Sequence, residues 1–332
     1  MPMDIANFLN TYPGMYLAQS VFHSFIAAVV VDRAFVIWRI KDPLVKQRFR
    51  LIVVLVPVFS FPLYQVLNPD RGSLSFRAEA IFNINGWLTP TLWGTISAGF
   101  LFFGLLLITT AIFLFQELIP VVRHTFESKG PDPDMEEAGE HSVVGQALRG
   151  LSGERPGVYV IDDEEFILFS TTGKNAAIFL STELVSALTV DEMQAAIAHE
   201  LAHIMRNKRP FLVVVFFLRI LMFFNPVVLL EFRRIVQEEE KICDDMAVAL
   251  TQNPHALSET LKKLYYKGKA LQLVQFQDIT RLRESLEEFS HNIHIESRIL
   301  RLEEGPGERE GKAWLQLTLT LVVIITINYF IV

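Results

Sequence analysis

Four stretches of this chain are apolar over roughly the twenty residues that a helix needs to cross a bilayer core about 30 Å thick. They run from about 17 to 40, 51 to 67, 92 to 115 and 313 to 332. The first is interrupted by Asp32-Arg33, the second contains Pro57 and Pro62, and Trp87 and Trp93 flank the start of the third. Tryptophan favours the level where lipid meets water. A fifth stretch, Phe211–Leu230, is equally apolar but holds Arg219 and the pair Asn225-Pro226. Composition follows this pattern: 51% of residues are hydrophobic and only 20% charged, against about 25% charged in an ordinary soluble domain. The net charge of −7 offers nothing to a nucleic acid. The single cysteine, Cys243, excludes an intrachain disulfide and with it any need for an oxidising compartment.

Basic residues set the orientation. The loop after the first stretch carries Arg33, Arg39, Lys41, Lys46, Arg48 and Arg50, the next carries only Arg71 and Arg77, and nothing basic precedes Arg33. The missing positive segment argues against a cleaved signal peptide. The positive-inside rule puts the first loop in the cytoplasm and the N-terminus outside. The third span then returns the chain to the cytoplasm near Glu117, so everything from Glu117 to Lys312 is expected there, with the C-terminus outside. Gln19, Ser20, His23 and Ser24 in the first span are expected to face the bundle interior.

The cytoplasmic region opens on a Gly/Pro/acid-rich linker, 121–156, with a short helix at Val143–Leu151. Val158–Ile161 and Glu165–Phe169 flank Asp162-Asp163-Glu164 in a hairpin-like pattern, and Ala176–Leu180 offers a third strand. Thr189 and Glu192 form a capping box ahead of Met193, Ala196, Ile197, Leu201 and Ile204 at helical spacing. Pro210 should end or kink that helix. Further helices are expected over about Leu230–Leu250 and from Asn253-Pro254 onward.

Inside the capped helix stands His199-Glu200-Leu201-Ala202-His203. Histidines at i and i+4 project from one helix face, a suitable bite for a tetrahedral Zn²⁺. Glu200, about 100° around the helix, can face a water on that metal without ligating it. A third protein ligand is required. Glu238-Glu239-Glu240-Lys241-Ile242-Cys243-Asp244-Asp245 supplies candidates. Glu240 and Asp244 share a helix face, so one can ligate while the other accepts the N–H of a ligating histidine; spacing leaves Glu239 open. Cys243 reads as a small buried helix residue.

The ligands also constrain the fifth apolar stretch. His203 precedes it and Glu240 follows it, yet both must reach one ion at about 2 Å, whereas a straight crossing of twenty residues would part them by about 30 Å. The stretch must therefore be a hairpin turning near Asn225-Pro226, with Pro210 absorbing the unequal limbs. Arg219 should then avoid lipid.

Together, His199–His203, Phe223-Phe224-Asn225-Pro226, Glu240-x-x-Cys243-Asp244 and the His23-Ser24 pair resemble the BlaR/MecR-type membrane zinc metallopeptidases, relatives of the HtpX-type peptidases. The resemblance implies one zinc per chain held by His199, His203 and Glu240, Glu200 as general base, and Asp244 behind a ligand. It also implies a substrate bound as an added strand against Ala176–Leu180, which marks Asn175 and Ala176 as contacts. His294–Ile299 loosely resembles a C-terminal motif of the HtpX relatives, which makes Arg298 a candidate oxyanion donor beside His255, His291, His294, Tyr265 and Tyr266. Asn207-Lys208 departs from the family pattern. No Ser-x-x-Lys acylation motif and no penicillin-binding sensor domain follow, so a separate sensor or repressor partner is expected.

The expected fold is mainly α: an integral membrane protein with four transmembrane helices and a cytoplasmic α+β gluzincin domain. Residues 1–120 form the N-terminal membrane region, 157–312 the peptidase domain with the 211–230 hairpin, and 313–332 the last span. The expected function is endoproteolysis of a protein or peptide at the cytoplasmic face of the cell's inner membrane, in regulated proteolysis or signalling. The alternatives are HtpX-like quality control and a non-catalytic zinc-containing signal transducer.

Overall fold

The computed structural model describes residues 7–8, 11–92, 96–119, 136–137, 139, 142–151, 156–171, 176–207, 211–272, 295–305 and 313–332. In chain order the helices used below are α1 (Tyr12–Trp38), α2 (Pro43–Leu67), α3 (Ala98–Leu118), α4 (Val143–Arg149), α5 (Val190–Asn207), α6 (Phe211–Leu221), α7 (Pro226–Thr251), α8 (Pro254–Gln272), α9 (295–304) and α10 (Ala313–Tyr329). The strands are β1 (Glu136–Glu137), β2 (Gly157–Ile161), β3 (Leu168–Ser170) and β4 (Ala177–Ser181). They form two compact units. One comprises Met1–Ser128, Phe211–Glu238 and Glu308–Val332; the other comprises Lys129–Pro210 and Glu239–Gly307. The hairpin thus belongs to the first unit, with the apolar helices.

In the first unit α1, α2 and α3 are long and apolar enough to cross a membrane. Four crossings were expected. α10, the fourth stretch, is a shorter apolar helix of 17 residues, a rise of about 26 Å. α1 starts earlier than expected because Thr11 caps it, its hydroxyl accepting the Gly14 N–H at 3.3 Å. α2 reaches back to Pro43, capped by Asp42, so Lys46, Arg48 and Arg50 lie on a helix rather than in a loop. The last turn of α3, Phe113–Leu118, is wound as a π-helix. Trp93 lies outside the described residues.

The unit exposes apolar side chains, and its apolar core encloses a set of polar ones. Phe100, Leu107 and Val322 are exposed, while Gln19, Ser20, His23 and Ser24 are buried, as expected of residues facing a bundle interior. His23 Nδ1 lies 2.7 Å from Ser60 Oγ. Arg71, fully buried, donates to Gln19 Oε1 at 2.9 Å and to the Tyr329 and Asn328 carbonyls at 2.9 and 3.0 Å. It thereby places a cation at the C-terminal end of α10, where the helix dipole favours one.

The fifth apolar stretch is a hairpin, as the ligand argument required. α6 ends at Leu221, and α7 begins at Pro226. Asn225 makes the turn. Its Oδ1 caps α7 by accepting the Val227 and Val228 N–H groups at 3.0 and 3.3 Å. Its Nδ2 donates to Ser20 O at 3.3 Å and Ser24 Oγ at 3.1 Å on α1. Pro226 follows at the position where a helix start tolerates proline. Asn225→Ala removes a buried cap and its cross-helix bonds together, so it should cost about 1–3 kcal/mol, read as a lowered unfolding midpoint of the full chain in detergent. Arg219 faces protein, with Glu117 Oε2 3.2 Å from its Nε and the Phe113 ring beneath it.

In the second unit the strand order is β1-β2-β4-β3, with β2 and β4 parallel and β3 and β4 antiparallel. The expected β2–β3 hairpin is therefore absent: β4 lies between them. The reason is in the residues. Ala177-Ile178-Phe179-Leu180-Ser181 is buried throughout, the pattern of a strand covered on both faces, so it takes a central position. Ser181 holds the preceding loop, its N–H donating to Ile167 O at 3.1 Å and its hydroxyl accepting the Ile167 N–H at 3.1 Å. Among the described residues β3 is paired on one side only.

α5 packs on this sheet through Met193, Ala196, Ile197 and Ile204, against a core that includes Val158, Ile178, Leu180, Leu257 and Leu302. Its capping box is formed. The Thr189 N–H donates to Glu192 Oε2 at 2.7 Å, and the Glu192 N–H to Thr189 Oγ1 at 3.4 Å. Lys263 adds an ion pair to Glu192 at 2.7 Å. α5 ends at Asn207; Lys208 and Pro210 lie outside the described residues.

Candidate metal centre

The second unit brings α5, α7 and α9 together around one point. α5 is amphipathic, and its inward face aligns His199 with His203. Their Nε2 atoms face each other at 3.0 Å. Glu240 on α7 closes the triangle, with Oε2 3.5 Å from His199 Nε2 and Oε1 3.5 Å from His203 Nε2. One ligand atom of each residue lies within 4.8 Å of the others. Donors about 2 Å from a tetrahedral ion stand roughly 3.3 Å apart. The spacing and the two-nitrogen, one-oxygen donor set therefore fit Zn²⁺. Glu200 is 8% exposed, and its charge acts on His203.

Glu239 goes elsewhere. Its carboxylate accepts from Arg206 Nε and Nη2, both at 2.5 Å, a forked pair tying the last turn of α5 to α7. Of the two acids that helix spacing left open, Glu240 is the one beside the histidines. Arg206 stands three residues after His203, a partnership that depends on how two helices meet and leaves no local mark in the sequence.

Behind these three residues lie three further groups. Asp244, 1% exposed, has Oδ1 3.1 Å from His199 Nδ1, within ion-pair reach though off the line of a well-aligned hydrogen bond. Arg298 grips Asp244 with two bonds, Nε to Oδ2 at 2.8 Å and Nη2 to Oδ1 at 2.7 Å. Its Nη1 donates to Glu240 Oε2 at 2.9 Å, and its Nη2 stands 3.4 Å from His199 Nε2. Cys243 Sγ lies 3.5 Å from His203 Nδ1.

The charges follow from these contacts. Burial disfavours a charged His199, but the carboxylates of Asp244 and Glu240 outweigh it and raise its pKa to about 9. Burial likewise opposes ionisation of Glu240, yet His199 and Arg298 pull its pKa down to about 2. Asp244 is held well below the usual carboxylate range, the Arg298 guanidinium overcoming the effect of burial. Burial and the neighbouring His199 charge lower the pKa of His203. Burial, with the Glu239 and Glu240 carboxylates, pushes the Cys243 thiol up.

The remaining candidates fare differently. His255 is exposed, with Glu303 as a charged neighbour. Tyr265 donates to Glu296 Oε1 at 3.3 Å. Ala176 is half-buried against the core, beside a strand whose two edges are already paired, so the Ala176–Leu180 strand cannot receive a substrate strand. Asn175, His291 and His294 lie outside the described residues, as does the Tyr266 side chain.

Residues 170–279 match the family model described as BlaR1 peptidase M56. The matched stretch takes in both histidines, Glu200, Glu240, Cys243 and Asp244. Over that segment the chain is similar to the membrane-associated metallopeptidases of the BlaR/MecR type, as its motifs led us to expect.

Proposed function

We propose that this chain is a zinc-dependent endopeptidase of the inner membrane, cutting a protein or peptide at the cytoplasmic face in regulated proteolysis. The observation that carries this reading is the convergence of two imidazole nitrogens and one carboxylate on a single point, beside a glutamate that a purely structural metal site does not need. His199, His203 and Glu240 would hold the zinc. Zinc bound there would polarise the scissile carbonyl and make an attacking water more acidic. Glu200 takes a proton from that water and passes it to the leaving amine. Asp244 steadies His199 through Nδ1. Arg298 is committed to Asp244 and Glu240, so we read it as a positioning group rather than as the oxyanion donor.

Substrate enters at a different strand from the one first expected. Among the described residues β3 is one of the two edge strands of the sheet, and it is the edge that packs against α5. An extended peptide would add there by main-chain hydrogen bonds. The basic residues between Arg33 and Arg50 favour a cytoplasmic first loop, which puts residues 121–312 in the cytoplasm and both termini outside.

The test uses the full chain purified in detergent. Metal analysis should return one zinc per chain. Cleavage of an unstructured protein should stop on chelation and resume with added zinc. One zinc per chain with no cleavage of any substrate would favour the non-catalytic transducer. Glu200→Gln expressed in membranes should retain a single substrate protein; broad retention of misfolded membrane proteins would favour quality control instead.

A further inference from the structure

Metal-ligating histidines need an acceptor for the ring N–H that faces away from the ion, because that bond fixes the tautomer and the ring angle. In this site both rings turn Nε2 inward, as the 3.0 Å separation and the Glu240 contacts show. The proton of each neutral ring is then on Nδ1. For His199 the group facing Nδ1 is Asp244. For His203 it is Cys243, whose Sγ is 3.5 Å away, within the longer range of a hydrogen bond to sulfur. Cys243 is fully buried and sits next to Asp244 on α7.

We propose that Cys243 is a positioning residue: its sulfur accepts the Nδ1–H of His203 and so aims Nε2 at the metal. The Cys243-Asp244 dipeptide then acts as a unit. Adjacent residues on a helix point about 100° apart, and each serves a different histidine of the i, i+4 pair. Glu240, one turn earlier on the same helix, supplies the third ligand. This explains why a cysteine stands there rather than an alanine of similar fit. It also makes the two imidazoles unequal. His199 faces a carboxylate, which raises its basicity, while His203 faces a weak neutral acceptor.

The inference rests on the metal reading above, and the experiment separates the two. Zinc affinity of the full chain is measured by chelator competition for the natural sequence and for Cys243→Ala, Cys243→Val and Cys243→Ser, with thermal unfolding of the metal-free proteins alongside. Loss of an outer hydrogen-bond partner typically weakens metal binding about 10–100-fold. Cys243→Ala and Cys243→Val should show that loss, and Cys243→Ser should recover most of it, because a hydroxyl accepts. A role in packing alone predicts the reverse order, since valine fills the buried space and serine places a polar group there. Natural affinity in the alanine or valine variant overturns the inference while leaving the metal site intact. Failure of the natural chain to bind zinc overturns the metal reading and the inference with it. The unfolding midpoints show whether a variant has lost its fold, and Cys243→Ser then supplies the comparison.

Discussion

Glu200→Gln should bind zinc as tightly as the natural chain and cleave peptides about 10²–10⁴-fold more slowly. The substitution changes one oxygen for an amide nitrogen and leaves His199, His203 and Glu240 untouched, so the donor set is preserved. It removes the only function that requires a carboxylate at that position, the transfer of a proton from water to the leaving amine. General acid–base groups commonly contribute factors of that size. Chelator competition measures the first quantity, and the initial rate of peptide cleavage the second. If zinc is lost as well, Glu200 is part of the metal's own shell and the mechanism above is wrong. If cleavage persists, the base is another residue.

The second large effect is one of pH. In the metal-free chain His199 has its pKa raised to about 9 and Glu240 has its lowered to about 2. The His203 pKa is lowered, so at neutral pH and above that ring is already neutral. Zinc must therefore displace one proton, from His199, across the neutral range. Its apparent affinity should rise about tenfold per pH unit up to about 9 and level off above. Stability of the two forms should run in opposite directions. A histidine whose pKa is raised on folding stabilises the metal-free protein fully below its unfolded value near 6.5, and that contribution fades as pH rises through about 9. The zinc-loaded protein gains stability over the same interval. Proton release measured by calorimetry in buffers of different ionisation enthalpy tests the first statement. Unfolding midpoints with and without zinc test the second. An affinity flat across this range would mean that His199 carries no proton in the metal-free protein.

What could be read in advance divides by distance along the chain. The capping box, the i, i+4 histidines and the i, i+4 acids are local, set by the pitch of one helix. The hairpin at Asn225 was also legible, since two ligands on either side of it cannot be 30 Å apart. The hidden parts depend on which distant faces meet. Arg298 reaches Asp244 across 54 residues, Arg206 reaches Glu239 across 33, and His203 reaches Cys243 across 40. Nothing local announces these pairings. The sheet was misread because a turn-like Asp162-Asp163-Glu164 was given more weight than the unbroken apolar run of β4. That run had signalled a central strand.

Among the described residues β3, the edge strand beside α5, is three residues long. Ile167 O and Thr171 N–H point inward to β4, so strand alternation turns Leu168 and Ser170 outward. Two residues offer an incoming peptide at most four main-chain bonds. At a net value of about 1 kcal/mol each, these amount to roughly 4 kcal/mol, a millimolar grip. So weak a hold reads little of a substrate's sequence. On the reading proposed here, the choice of what is cut then passes from recognition to delivery. A protein confined to the same bilayer meets this edge at a high local concentration, and a peptide free in solution does not.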